Sequence, residues 1–174
     1  MSYTPVGWAN DETHPLSQAN MKTLDAGIVG VDADLATLDG LVASLRPVAA
    51  TDTTTGTRTN TLYGPTLNDS ASGPAASVTV PASGVVTVHL QARCSVDAGS
   101  GYASFAVGGE NTQSASDSRA IRVTSASGDS RYGITHLLTG LSAGQTTFTI
   151  NYRNTNTGAV STWLDRHIVV VPHP

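Results

Sequence analysis

His136 and the run Asp165-Arg166-His167 set ionisable groups among apolar ones and His89 stands on a polar strand face, so chemistry would have to start at these residues. None of them sits in a catalytic spacing. The sequence has no Gly-x-Ser-x-Gly, His-Glu-x-x-His, Cys-x-x-Cys or Gly-x-x-x-x-Gly-Lys-Ser/Thr, so it spells no nucleophile elbow, zinc helix or phosphate loop. Gly99-Ser100-Gly101 reads as a hairpin turn, because an alternating strand follows it where a phosphate loop needs a helix. Asp97, Glu110, Asp117, Asp129 and Asp165 fall mostly in expected loops, and no two are marked as the carboxylate pair of a glycoside hydrolase. The expectation is a protein that is not an enzyme and uses no cofactor and no metal.

What remains is binding. His136 shares an apolar strand face with Ile134 and Leu138, which suits a hydrogen-bonded histidine of the core or of a subunit interface. A metal held on a symmetry axis by three copies is the sharper alternative. His89 shares a polar face with Arg93 and reads as solvated. Asp165, Arg166 and His167 interrupt an apolar final strand, as polar groups would if they crossed a subunit interface and paired between chains, since buried charges need partners. Ile168 and Val170, next along that strand, are interface candidates for the same reason. Tyr102, Tyr132 and Trp163 stand near strand ends, where an aromatic face stacks on a sugar or packs into a core. The Ser/Gly/Asn/Thr loops at 109–118 and 154–162 are adaptable hydrogen-bonders or solvated tips.

These residues need elements to hold them, and from Ser77 onward the apolar period is two. Val86, Val88, Leu90, Ala92, Cys94 and Val96 mark one face of a strand whose other face is Thr87, His89, Gln91, Arg93 and Ser95. Shorter alternations follow around Phe105, Val123, Ile134 and Ile150, separated by glycine-rich turns. That spacing predicts an antiparallel β-sandwich of jelly-roll type over 76–174. Its last strand, through Ile168-Val169-Val170-Val171, is apolar on both faces, so one face is expected in the core and the other against a neighbouring subunit.

A different period governs the first quarter of the chain. Met21, Leu24, Ile28, Val31, Leu35, Leu38, Val42 and Leu45 are spaced alternately by three and four, which predicts a coiled-coil helix over 17–46. The stripe is too narrow to cover a globular core and fits a helix packed on copies of itself. Ser17 supplies a cap, Leu16 and Met21 a hydrophobic staple, and Pro47 a stop. Gly27, Gly30 and Gly40 weaken the helix by about 0.8–1.0 kcal/mol each, so the β-domain has to help hold the assembly. Residues 1–16 read as an extended anchor with Tyr3, Val6 and Trp8 as its apolar contacts. Residues 47–75 are a Thr-rich neck, a flexible connector or a first edge strand.

Composition narrows the partners. Charged residues make up 13% with a net charge of −4, and Lys22 is the sole lysine, which argues against nucleic acid and anionic membranes. No apolar run is long enough to insert in a membrane, and no signal peptide is apparent. With one cysteine, Cys94, no intrachain disulfide can form.

The order leader, heptads, neck and β-knob resembles short trimeric fibre proteins of tailed bacteriophages. Trp8-Ala9-Asn10, then Pro15-Leu16-Ser17-Gln18-Ala19-Asn20-Met21 and Gly27-Ile28, is similar to an opening common in phage tail and virion proteins. Leu141 to Arg153, with Arg166-His167-Ile168-Val169-Val170-Val171-Pro172, resembles the last strands of knobs of the tumour-necrosis-factor and C1q shape. The resemblance implies a homotrimer in the virion, held to other virion proteins by its leader, with the knob offered to a host-surface glycan. A tail position is the first expectation, and a capsid decoration or head fibre the second. A stand-alone carbohydrate-binding module is the third.

Overall fold

The computed structural model describes residues 18–68, 72–125 and 128–174. The anchor candidates Tyr3, Val6 and Trp8, and the cap and staple at Ser17 and Leu16, lie outside them. The heptad stretch is one α-helix, α1 (Gln18–Ser44). Met21, Leu24, Ile28, Val31, Leu35, Leu38 and Val42 are all between 51% and 66% exposed in the single chain. Leu45 falls in the turn just past the helix and is half-buried. Helix and β-domain are separate compact units, the second beginning at Ala43.

Among the described residues nine strands come next in chain order: β1 (Val48–Asp52), β2 (Gly56–Arg58), β3 (Ala75–Val80), β4 (Val85–Val96), β5 (Ser100–Gly109), β6 (Ile121–Thr124), β7 (Ser130–Leu138), β8 (Gly144–Asn154) and β9 (Ser161–His173). They form two antiparallel sheets, β1-β9-β4-β7 with β2 also on β9, and β3-β8-β5-β6. The Thr-rich neck thus contributes edge strands: β1 pairs with β9 from Val48 against Val170 to Asp52 against Arg166. β-branched threonines suit that pleated edge, and pairing satisfies backbone groups a free linker would leave to water.

The faces of the sheets that oppose each other carry the predicted alternation. Val86, Val88, Leu90, Ala92 and Cys94 of β4 meet Ile168 and Val170 of β9, and Phe105 of β5 lies tilted on Phe148 of β8 with ring centroids 6.1 Å apart. Tyr152 and Trp163 stack between the sheets at 5.4 Å. Gly84 joins β3 to β4 at φ 66°, and a Cβ there would stand 2.5 Å from the Leu141 carbonyl oxygen, so only glycine fits that turn.

One irregularity shapes the rest. Between Gln91 and Arg93 the β4–β9 register slips, so that Asp165 and Arg166 together oppose Ala92. Asp165 takes a left-handed φ of 47°, the one described non-glycine residue to do so. This is a β-bulge, and it resets which β9 side chains point inward.

Candidate functional site

The bulge gives the three residues of the expected polar crossing different surroundings. Arg166, expected to pair across an interface, turns inward and is wholly buried; its Nη2 lies 2.6 Å from Asp52 Oδ2 and donates to Thr54 Oγ1 at 2.9 Å. Asp52 also accepts from the Thr54 backbone N–H and hydroxyl. Burial works to raise the Asp52 pKa, but the Thr54 hydrogen bonds and the Arg166 charge outweigh it and hold the carboxyl below its usual range. Asp165 pairs with Arg131 of the same chain at 3.1 Å. His167 faces outward and shares a hydrogen bond with Thr51 at 2.9 Å. All three residues therefore find partners within one chain.

Ile168 and Val170 are likewise corrected from interface to core: both are fully buried between the sheets, because inward parity after the bulge falls on them. His136 faces the same interior, opposite Val88, with its ring 6.2 Å from Phe105. Among the described residues no group of three His, Cys, Asp or Glu is placed to hold a metal ion. Cys94 is buried, and desolvation followed by the charge of Asp129 pushes its thiol pKa up, away from reactivity.

The aromatic candidates divide. Trp163 is fully buried with its indole N–H donating to Ser161 Oγ at 2.8 Å, so it is a core residue and no ligand contact. Tyr132 sits inward opposite Ala92, half-buried against the core. Tyr102 lies on the outer side of the β3-β8-β5-β6 sheet between Arg122 and Arg153, but it is covered there and only 8% exposed. The Arg153 guanidinium lies 4.3 Å from the Tyr102 ring centroid and 5.4 Å from that of Tyr63. The same guanidinium grips Asp117 with two hydrogen bonds, Nε to Oδ1 at 2.8 Å and Nη2 to Oδ2. Tyr63 donates its hydroxyl to Asp117 Oδ1 at 3.0 Å. The Arg153 hydrogen bond, above all, keeps the Asp117 carboxyl below the usual range, while burial and then Asp117 push the Tyr63 phenol up. The result is a rigid stack of two tyrosines and one arginine, with Asp117 half exposed at its rim. Sequence reading missed Tyr63, whose only signal was a lone aromatic in a Thr/Gly/Pro loop.

The outer face of the other sheet was also missed as a unit. Register places Thr87, His89 and Gln91 of β4, His167, Val169, Val171 and His173 of β9, Thr135 and Leu137 of β7, and Ala49 and Thr51 of β1 on that one face. A depression of about 390 Å³ opens where Gly133 has no side chain, bordered by His89, Gln91, Thr135, His167 and Val169. His89 Nδ1 lies 2.9 Å from Thr135 Oγ1, and His173 Nε2 2.7 Å from Thr87 Oγ1. With the Thr51–His167 bond, three imidazoles on one face each share a hydrogen bond with a threonine of the adjacent strand.

No family model matches the chain, and no curated protein matches it in sequence. Among solved structures it is similar to a xylan-binding CBM22-1 domain from Paenibacillus barcinonensis, at 16% identity over 67% of this chain and 70% of that one, TM-score 0.38. It is similar to the Eiger TNF of S. frugiperda at 13% identity over 74% and 94% of the two chains, TM-score 0.43. The enzymatically active domain of tailspike protein 4 of bacteriophage CBA120 matches at 11% identity over 72% of this chain and 19% of that one, TM-score 0.33. The chain's own residues define a β-sandwich domain of jelly-roll type preceded by a helix.

Proposed function

We propose that this chain is a structural protein of a bacteriophage virion: a homotrimeric short fibre, tail-associated, whose helix is a coiled coil and whose sandwich is a knob offered to the host surface. The observation that carries the reading is the unbroken heptad spacing of seven apolar side chains on α1, a helix exposed on every side from Met21 to Ala43 in the single chain. Sister helices are the cover that fits a stripe two residues wide per two turns. The residues of the leader, with its Trp8 motif, support attachment to other virion proteins. Among the described residues no helix is long and apolar enough to cross a membrane.

The knob contacts a host glycan at the rim of the Tyr63–Arg153–Tyr102 stack, where the half-exposed Asp117 and Arg122 are the hydrogen-bonding groups. A preorganised carboxylate and guanidinium on an aromatic base is chemistry that reads sugar hydroxyls. Catalysis is no part of this reading.

Cryo-electron microscopy of virions tests the location: a few copies at the tail bear it out, and many on the shell shift the protein to capsid decoration. A chain lacking 1–16 is expected to assemble yet stay out of virions, and its normal incorporation removes the anchor. Glycan-array binding by the purified chain should weaken with Asp117→Ala. Cleavage of host polysaccharide by the same preparation would overturn the non-catalytic assignment.

A further inference from the structure

We infer that the glycan met by this domain is an acidic one, and that the guanidinium of Arg122 binds its oxyanion, a carboxylate or a phosphate carried by the sugar. This rests on the glycan reading above, and adds the class of sugar and the residue that selects it.

A row of side chains crosses three strands on the outer side of the β3-β8-β5-β6 sheet. Tyr102 of β5 stands between Arg122 of β6 and Arg153 of β8. Both guanidiniums lie over its ring, Arg153 at 4.3 Å and Arg122 at 5.9 Å from the centroid. The ring is thereby covered, and acts as a spacer that steadies two cations and keeps them apart. The two arginines then differ. Arg153 is neutralised, because both oxygens of Asp117 accept from it. Arg122 keeps its charge. It is exposed, its Nε donates to Ser100 Oγ at 3.4 Å, and no carboxylate among the described residues pairs with it. The Arg153 hydrogen bond is the largest influence on the Asp117 carboxyl and the charge of Arg122 the smallest.

Two more arginines border the stack without a counter-charge among the described residues. Arg119, two residues beyond Asp117, donates to the Gln113 side chain and the Ser114 carbonyl. Arg58 donates to the carbonyls of Thr66 and Leu62, the second being the residue before Tyr63. Four arginines thus share one carboxylate, in a chain with 13 acidic residues against 9 basic ones. Of the carboxylates flanking β5, Asp97 accepts from the Val160 N–H. Glu110 packs beside Gly144 at the far end of the strand, about 26 Å from Tyr102 at ~3.3 Å per residue.

That imbalance decides the ligand. A neutral sugar lying on Arg122 would strip water from a charge and return only single hydroxyl bonds. An oxyanion neutralises it and meets the planar fork with two parallel hydrogen bonds. Half-buried Tyr63 and its neighbour Leu62, 73% exposed, offer apolar surface to the C–H face of the sugar ring. The net charge of −4 sets the remaining surface against a long polyanion, which favours a short acidic saccharide over nucleic acid.

A glycan array carrying neutral and acidic saccharides, probed with the full chain, tests this, together with calorimetric titration of trigalacturonate, its methyl ester and glucose 6-phosphate. Array signal should be confined to acidic glycans. Trigalacturonate or glucose 6-phosphate should bind at least about tenfold more tightly than the ester, and the better of the two identifies the oxyanion as carboxylate or phosphate. Arg122→Gln should weaken that binding about tenfold, while Arg93→Gln, at an exposed arginine of the other sheet held by Asp129, should change it less than about twofold. Circular dichroism melting checks that each variant folds. Neutral glycans bound as tightly as acidic ones, and weakened by Asp117→Ala, overturn the acidic class and leave the glycan site standing. No signal from any glycan removes both readings. Acidic binding indifferent to Arg122→Gln rejects that residue as the reader. Equal affinity for a thymidine oligonucleotide makes the patch a general anion binder and overturns the sugar.

Discussion

Arg166 is the residue on which the sandwich interior depends most unusually. A guanidinium with no exposed surface is held by Asp52 and Thr54, and its Nε and Nη1 have no hydrogen-bond partner among the described residues. Removing the carboxylate strands the charge, so Asp52→Ala is expected to cost about 3 kcal/mol in urea unfolding. Adding Arg166→Met to that variant should recover most of the loss, because an apolar side chain of similar length needs no counter-charge. If the double variant were as unstable as the single one, the pair would matter for packing and not for charge. Asp117 behaves differently, being half exposed. Its folded pKa is depressed, so the stability it adds is whole above the ordinary carboxylate range and is lost as pH falls through the folded value. Arg153→Ala should flatten that acid dependence in a melting series, with a small effect at neutral pH.

At the scale of elements, α1 and β9 each have a face that the single chain leaves open. For α1 every side is exposed from Met21 to Ala43, the heptad row included, and nothing lies near the Cβ positions of Gly27, Gly30 and Gly40. Leu35→Asp, mid-row, is expected to raise the dissociation constant of the assembly by about a hundredfold, read by sedimentation. The sandwich should melt as before. For β9 the pattern is subtler, because the bulge at Asp165 splits the strand into two stretches of opposite parity. Trp163 points inward before it, and Arg166, Ile168 and Val170 point inward after it. One inserted residue thereby frees Val169, Val171 and His167 for the outer face.

The whole molecule joins two ways of burying apolar surface. The sandwich closes on itself around Phe105, Phe148, Tyr152 and Trp163 and needs no disulfide. The helix does not close, and is expected to gain order only beside its copies. A trimer held both by three weak coils and by contacts between sandwiches would assemble cooperatively, since each contact raises the effective concentration of the other. The expected signature is a single sedimentation boundary without a populated dimer.

Much of the architecture was legible in the residues themselves because the signals are local. The heptad spacing of Met21 to Val42 and the alternation of Val86 to Val96 arise from the geometry of one helix and one strand, whatever they later touch. Paired registers are not local. The left-handed Asp165, the inward turn of Arg166, the burial of Ile168 and Val170, and the meeting of Tyr63 with Tyr102 over Arg153 each depend on which strand lies beside which, and at what offset. A shift of one residue exchanges the faces of a strand. Sequence therefore determined that there is a helix with an unfilled stripe and a sandwich with a two-sided last strand. Only the fold decided which side of that strand is core and which three histidines share its outer face.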